Sequence, residues 1–146
     1  NTGVQRVDIS SISKSIVGRT SINKRIKDVM SKAKSKVMIV TTQEHTERNL
    51  KLLKGFTQIF AKKGVNVTLY GHSIKPAARK LLNIDYIEYD ANTSFVTVDG
   101  KEMLFIVSGS NVVPEYEVAI WINSSFFVNA VNVLFSESSK SSFSNK

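Results

Sequence analysis

Apolar residues recur along this chain with two periods, about 3.6 and about 2 residues, in alternating blocks. Over residues 20–34, Ile22, Ile26, Val29, Met30 and Ala33 share one helical face, and Lys24, Arg25, Lys27, Lys32 and Lys34 point elsewhere. Thr20 or Ser21 is the expected N-terminal cap. Residues 36–41 are a short apolar run, as in a strand covered on both faces. Residues 46–63 predict a second helix, with Leu50, Leu53, Phe56, Ile59 and Phe60 on its buried side and Gly64 as its stop. Residues 65–70 begin with alternation and predict the next strand. Helix, strand, helix, strand over residues 20–70 implies two parallel strands joined by a right-handed crossover.

Pro76 sits near the start of a short helix over 75–82, where proline is tolerated. Residues 84–89 alternate as a strand. Residues 92–107 predict a hairpin of two buried strands around a two-residue Asp99-Gly100 turn. Pro114 breaks the chain, and residues 116–122 read as a further strand with Trp121 in the core. The last helix opens at residues 123–125, with Phe127, Ala130, Val131 and Leu134 at helical spacing. Residues 1–19 keep no clean period: Val4, Val7, Ile9, Ile12 and Ile16 are scattered among serines, Gly3 and Gly18. They fit an edge strand, a segment packed on a partner, or the tail of a longer chain. The expected organisation is an N-terminal segment or linker over 1–19, an α/β domain over 20–137 and a Ser-rich tail over 138–146. The expected fold is α/β: a mixed, mostly parallel sheet with helices on both faces and the 92–107 hairpin at its centre.

Composition narrows the chemistry. At 146 residues and 42% hydrophobic content the chain makes one domain with a real core. It has no cysteine, which excludes disulfides, thiolate catalysis and zinc–thiolate sites. No apolar run approaches the roughly 20 residues of a membrane span, and no signal peptide is read at the start of the sequence, so the expected location is cytoplasmic. The net charge of +8 is divided unevenly: residues 1–80 carry +13 and residues 81–146 carry −5. A basic half fits nucleic acid through phosphate neutralisation. Solvated helix surfaces fit it better, because the cations are spread over several elements without aromatic interleaving.

The hairpin carries the chain's family resemblance. Asp99-Gly100 and Gly109-Ser110-Asn111 resemble the His-x-Lys-x-x-x-x-Asp-Gly strand and the Gly-Ser-x-Asn partner strand of the phospholipase D superfamily. In that alignment the catalytic His position holds Asn92 and the Lys position holds Ser94. The order of elements from about residue 20 to residue 137 is similar to one phospholipase D-type half. Within the superfamily the chain looks most like the effector domains of TrmB-type archaeal transcription regulators, which lack the same His and Lys. The run Ala119-Ile-Trp-Ile-Asn-Ser-Ser-Phe-Phe-Val-Asn-Ala-Val resembles their C-terminal strand and helix.

The resemblance implies a non-catalytic effector-sensing and dimerisation domain of a transcription regulator. Its winged-helix DNA reader would lie upstream, because residues 1–19 are too short to hold one. A phospholipase D-type reaction needs an imidazole nucleophile and an ammonium for the phosphoryl oxygens, and Asn92 and Ser94 supply neither. They can still hydrogen-bond a small polar or sugar ligand. The candidate ligand contacts are Asn92, Ser94, Asp99, Ser110 and Asn111, and the expected assembly is a homodimer with residues 92–111 and the loop to Pro114 near its axis. The alternative is an active phospholipase D-type phosphodiesterase or nuclease with a displaced histidine. His72-Ser-Ile-Lys75 is the loose match for it, and His45 is expected only to begin a helix. A flavodoxin-like or receiver-like α/β domain is a third reading, but Thr41-Thr-Gln lacks the acidic cluster that a receiver needs after its first strand. With no metal-ligand spacing, no Walker loop and no Gly-x-Gly-x-x-Gly, neither metal nor cofactor is expected.

Overall fold

A computed structural model describes residue 6 and residues 8–144, with side chains through residue 136. Val4 and Val7 of the N-terminal segment, and residues 145–146 of the tail, lie outside the described residues. The elements are α1 (Ile9–Ile12), β1 (Ser13–Val17), α2 (Arg19–Ser31), β2 (Lys36–Val40), α3 (Thr46–Lys54), α4 (Thr57–Lys63) and β3 (Asn66–Gly71). They continue as α5 (Pro76–Leu82), β4 (Asp85–Glu88), β5 (Phe95–Val98), β6 (Glu102–Ile106), a 3-10 turn (Pro114–Tyr116), β7 (Val118–Asn123) and α6 (Ser125–Ser144).

The strands form one seven-stranded sheet in the order β1-β7-β6-β5-β2-β3-β4, which puts β5 in the middle. The sheet is mixed, but the expected majority of parallel pairs is not there. Only β2–β3 and β3–β4 run parallel; β2–β5, β5–β6, β6–β7 and β1–β7 are antiparallel. The reason is local: a hairpin turns the chain back on itself, and helical crossovers join neighbouring strands only at β2–β3 and β3–β4.

Period-2 alternation decides which side chain meets which layer. Val37, Ile39, Val67, Leu69, Val96, Val98 and Leu104 face one core with Ile22, Val29 and Met30 of α2, Leu53 of α3, Phe60 of α4 and Leu82 of α5. Val40, Tyr70, Phe95 and Met103 face a second core that Val128, Val131 and Phe135 of α6 close. Phe135 is the centre of an aromatic cluster, 4.6 Å from Tyr70, 4.8 Å from Tyr89 and 5.6 Å from Phe95. Helices therefore cover both faces, with α6 on the second.

Several expectations shift in detail. The irregular N-terminal stretch ends as edge strand β1, paired along Ser13–Val17 to β7, so the sheet begins before residue 20. Helix α6 runs to Ser144, past the expected end at 137. Gly18, at φ 95°, caps α2 in place of Thr20 or Ser21, and its carbonyl accepts the Ile22 N–H at 2.9 Å. The expected 46–63 helix is two helices, because Gly55 ends α3 and Phe56 leaves the helical line at φ −111°. That break turns Ile59 outward to 47% exposure. On α6 the apolar face facing the sheet is Val128, Val131 and Phe135; of the residues read at helical spacing, Phe127 and Leu134 point away at 44% and 69% exposure. The hairpin turn is longer by one residue: Asp99 and Gly100 have φ 55° and 67°, but Lys101 also lies between the paired Val98 and Glu102.

Candidate functional site

The loop from β2 to α3 and the segments flanking the β5–β6 hairpin meet at one end of the sheet. They enclose a cavity of about 220 Å³ lined by Thr42, Glu44, His45, Asn92, Thr93, Ser94, Ile106, Val107, Ser108, Gly109 and Ser110. The C-terminal end of a central strand is where open α/β sheets offer a crevice.

Ser94 anchors it. Only 4% exposed, it directly precedes β5. Its hydroxyl oxygen accepts the Thr42 N–H at 2.9 Å, lies 3.3 Å from the Thr42 hydroxyl and sits 2.8 Å from Nδ1 of His45. The β2–α3 loop is stitched as tightly. Thr41 accepts from the Asn49 amide at 2.8 Å and donates to the Thr42 carbonyl at 2.9 Å, which also accepts the Thr46 hydroxyl at 3.0 Å. Ser110 donates to Glu44 at 3.2 Å, tying the loop after β6 to the loop after β2.

His45 is the N-cap residue of α3, as its sequence position implies, but its ring is drawn into the cavity. Burial, and then the nearby Arg48, lower its pKa below the ordinary 6.5, so the ring is neutral at physiological pH. Behind it lies an ion cluster. Glu117, 4% exposed, is 2.6 Å from Arg48 and 3.2 Å from Arg19. Burial alone pushes its carboxyl up; hydrogen bonds and charge from Arg48, then Arg19, outweigh that and hold it below the usual carboxylate range. Arg48 also donates to the Asn23 amide oxygen at 3.2 Å, so α2, α3 and the approach to β7 are locked together.

Of the predicted ligand contacts, Asn92, Ser94 and Ser110 line the cavity. Asp99 does not. It lies at the opposite end of β5, and its carboxylate accepts the backbone N–H groups of Lys34, Ser35 and Lys36 at 2.9, 2.9 and 3.0 Å. Its lone pairs are committed to joining the hairpin to β2. Asn111 follows Ser110 in the left-handed region at φ 65°, exposed and outside the cavity lining. His72 is not in the cavity either; it pairs with Glu88 at 2.8 Å. Sequence reading missed Thr42, Glu44 and His45 as site residues. The available signal was their place directly after β2, the first strand of the parallel set.

The chemistry of this lining is polar and weakly charged. It holds hydroxyls, an amide, one imidazole and one carboxylate, and neither Lys nor Arg. Among the described residues no group of three or more His, Asp or Glu is placed to hold a metal ion. No helix among them is long and apolar enough to cross a membrane.

Known proteins agree with this architecture. Residues 14–142 match the family model described as transcriptional regulator TrmB, EBD N-terminal subdomain. Among solved structures the fold is similar to TrmBL2, described as an archaeal chromatin protein with a novel mode of DNA binding. The TM-score is 0.56 at 12% identity, over 99% of this chain and 55% of that one. The chain thus spans about half the length of TrmBL2. It is similar to NucT from Helicobacter pylori at a TM-score of 0.64 and 11% identity, over 86% of this chain and 93% of that one. It is similar also to a phosphatidylserine synthase from Haemophilus influenzae Rd KW20 at 0.51 and 12%, over 87% and 37%. No curated protein matches. These neighbours share a phospholipase D-like fold, and at such identities they speak for the fold alone. The family model covers most of the sequence and agrees with the sheet, so the chain belongs to the TrmB family of transcriptional regulators, as the N-terminal subdomain of its EBD.

Proposed function

We propose that this domain is a non-catalytic effector sensor and dimerisation unit of a transcription regulator, whose DNA reader is a separate upstream segment. The observation that carries the reading is the cavity lining. A phosphodiesterase needs a nucleophile and a cation for the phosphoryl oxygens. Here the phospholipase D Lys position is Ser94, buried and committed to Thr42 and His45, and no Lys or Arg lines the cavity.

Hydroxyls, the Asn92 amide and neutral His45 suit a small uncharged ligand rich in hydroxyl groups, a sugar or polyol. Glu44 adds an acceptor and works against anions. The cavity is smaller than the about 300–1,000 Å³ of most ligand sites, which fits a small ligand or one shared with a second copy. Exposed apolar side chains of the lining and of the loop to Pro114 support the second option: Val107 is 48% exposed and Val113 51%. A homodimer with residues 92–111 and the loop to Pro114 near its axis would cover them.

Calorimetric titration with a panel of neutral mono- and disaccharides and polyols tests the reading. Binding that Ser94→Ala or Asn92→Ala weakens about tenfold supports it; no binding across the panel, or binding that both variants leave unchanged, removes the sensor assignment. The catalytic alternative has one observation in its favour, the His45–Ser94 pair. Turnover of bis-p-nitrophenyl phosphate that His45→Ala abolishes would establish it instead.

A further inference from the structure

The basic half of the sequence has a specific outlet in the fold. Edge strand β1 and helix α2 border a groove of about 390 Å³, lined by Lys14, Lys24 and Arg25 with the hydroxyls of Ser15 and Ser21; Asp28 is its one acidic residue. Other cations nearby are spent internally. Arg19 and Arg48 hold Glu117, Lys32 pairs with Glu102 at 3.2 Å, and Lys63 donates to the Ser31 and Ala33 carbonyls. Lys14 and Lys24 are exposed and, among the described residues, form no ion pair. Arg25 lies over the Trp121 ring, 5.2 Å from its centroid, which fixes the guanidinium without neutralising it.

Charge and edge chemistry decide what fits. Fixed and mobile cations beside hydroxyl donors suit an anion with charges spaced along a line. An added β-strand is disfavoured. β1 has only five residues and carries Lys14, and both features keep an edge from accepting another strand. The positive field also extends past the groove, because Lys27 on α2 is exposed, as are Lys34 and Lys36. A peptide would read the groove alone, whereas a long polyanion uses the groove and the field around it.

The geometry points to the β1–α2 groove as a seat for the phosphate backbone of double-stranded nucleic acid, gripped without base readout. This goes beyond effector sensing: the sensing domain itself touches nucleic acid, and contributes affinity while leaving sequence choice to other contacts.

Fluorescence anisotropy of a labelled duplex of mixed sequence, titrated with the 146-residue chain over a salt series, tests the assignment. Lys14→Glu with Lys24→Glu is expected to weaken low-salt binding at least about tenfold and to reduce the slope of log K against log salt by about two. Lys75→Glu with Lys80→Glu, at α5 beside the opposite edge of the sheet, changes net charge equally and is expected to cost less than about threefold. If the glutamate pair does not fold, Lys14→Gln with Lys24→Gln reads the same slope change. Equal losses in both double variants reduce the effect to net charge and overturn the assignment, as does unchanged binding in the groove variant. Tighter binding of a poly-glutamate peptide than of the duplex also overturns it, and gives the groove to an acidic protein partner.

Discussion

His45 and Ser94, 49 positions apart in sequence, meet through a 2.8 Å contact between an imidazole Nδ1 and a hydroxyl. The same hydroxyl accepts the Thr42 N–H, so one serine joins the β2–α3 loop to the start of β5. Ser94→Ala leaves that N–H and the ring nitrogen without their partner in a half-buried place. It is expected to lower unfolding free energy by about 1–3 kcal/mol, measured by urea denaturation. A loss within error would mean that the loop and the strand hold together without Ser94.

The His45 ring gives the site a pH dependence of known sign. Its folded pKa is depressed, first by burial and then by Arg48, so the unfolded chain binds the proton more readily. Its contribution to stability is full above the unfolded value of 6.5 and falls as pH drops through that value toward the folded one. Melting midpoints of wild type and His45→Gln should therefore diverge at neutral pH and converge as the solution becomes acidic. A constant gap would show that protonation of His45 is not what the fold resists.

Asp99 is a structural residue in this account. Burial works to raise its pKa, but the backbone N–H groups of Lys36, Ser35 and Lys34 outweigh it and bring the value to about 2 from 3.8. That stabilisation is present above the unfolded value and is lost as pH falls through 3.8 toward 2. Asp99→Asn is expected to cost about 1–2 kcal/mol near neutral pH after allowance for solvent screening, with the difference vanishing in strong acid. Ligand affinity should be unaffected, because Asp99 lies away from the cavity.

The Glu117 cluster ties α2 and α3 to β7. Arg48→Ala removes the nearer cation and leaves the buried carboxylate to Arg19 alone. A loss of about 2–3 kcal/mol is expected, below the value for stripping a buried charge of every partner. Arg48→Ala with Glu117→Gln should recover part of it in denaturant unfolding. No recovery would mean that Arg48 acts by packing and not by charge.

Assembly is tested by light scattering at micromolar concentration. The proposed homodimer should have twice the 16.2 kDa mass of one chain. Asn111→Arg should shift that mass toward one chain, since it places two like charges near the axis. A dimer that survives the change has its interface elsewhere. The next surface to probe is the outer face of α6, where Phe126 is 90% and Leu134 69% exposed.

The sequence by itself determined the run of helix and strand segments from α2 to β3, the parallel β2–β3 pair and the central hairpin. Each rests on local periodicity and turn chemistry: Val37 to Val40 read as a strand covered on both faces because they are one, and Asp99-Gly100 tolerates the positive φ that a tight turn requires. The family resemblance, and not the spacing, singled out Asn92, Ser94 and Ser110, which line the cavity. Tertiary structure decided the rest. Sheet direction depends on which strands become neighbours, and β5 enters antiparallel between β2 and β6. Apolar residues surround much of α6, and only the sheet selects Val128, Val131 and Phe135 as its buried face. The same logic places Asp99 in a backbone cradle and brings His45 to Ser94. Both depend on contacts between segments far apart in the chain, and residue spacing carries no record of them.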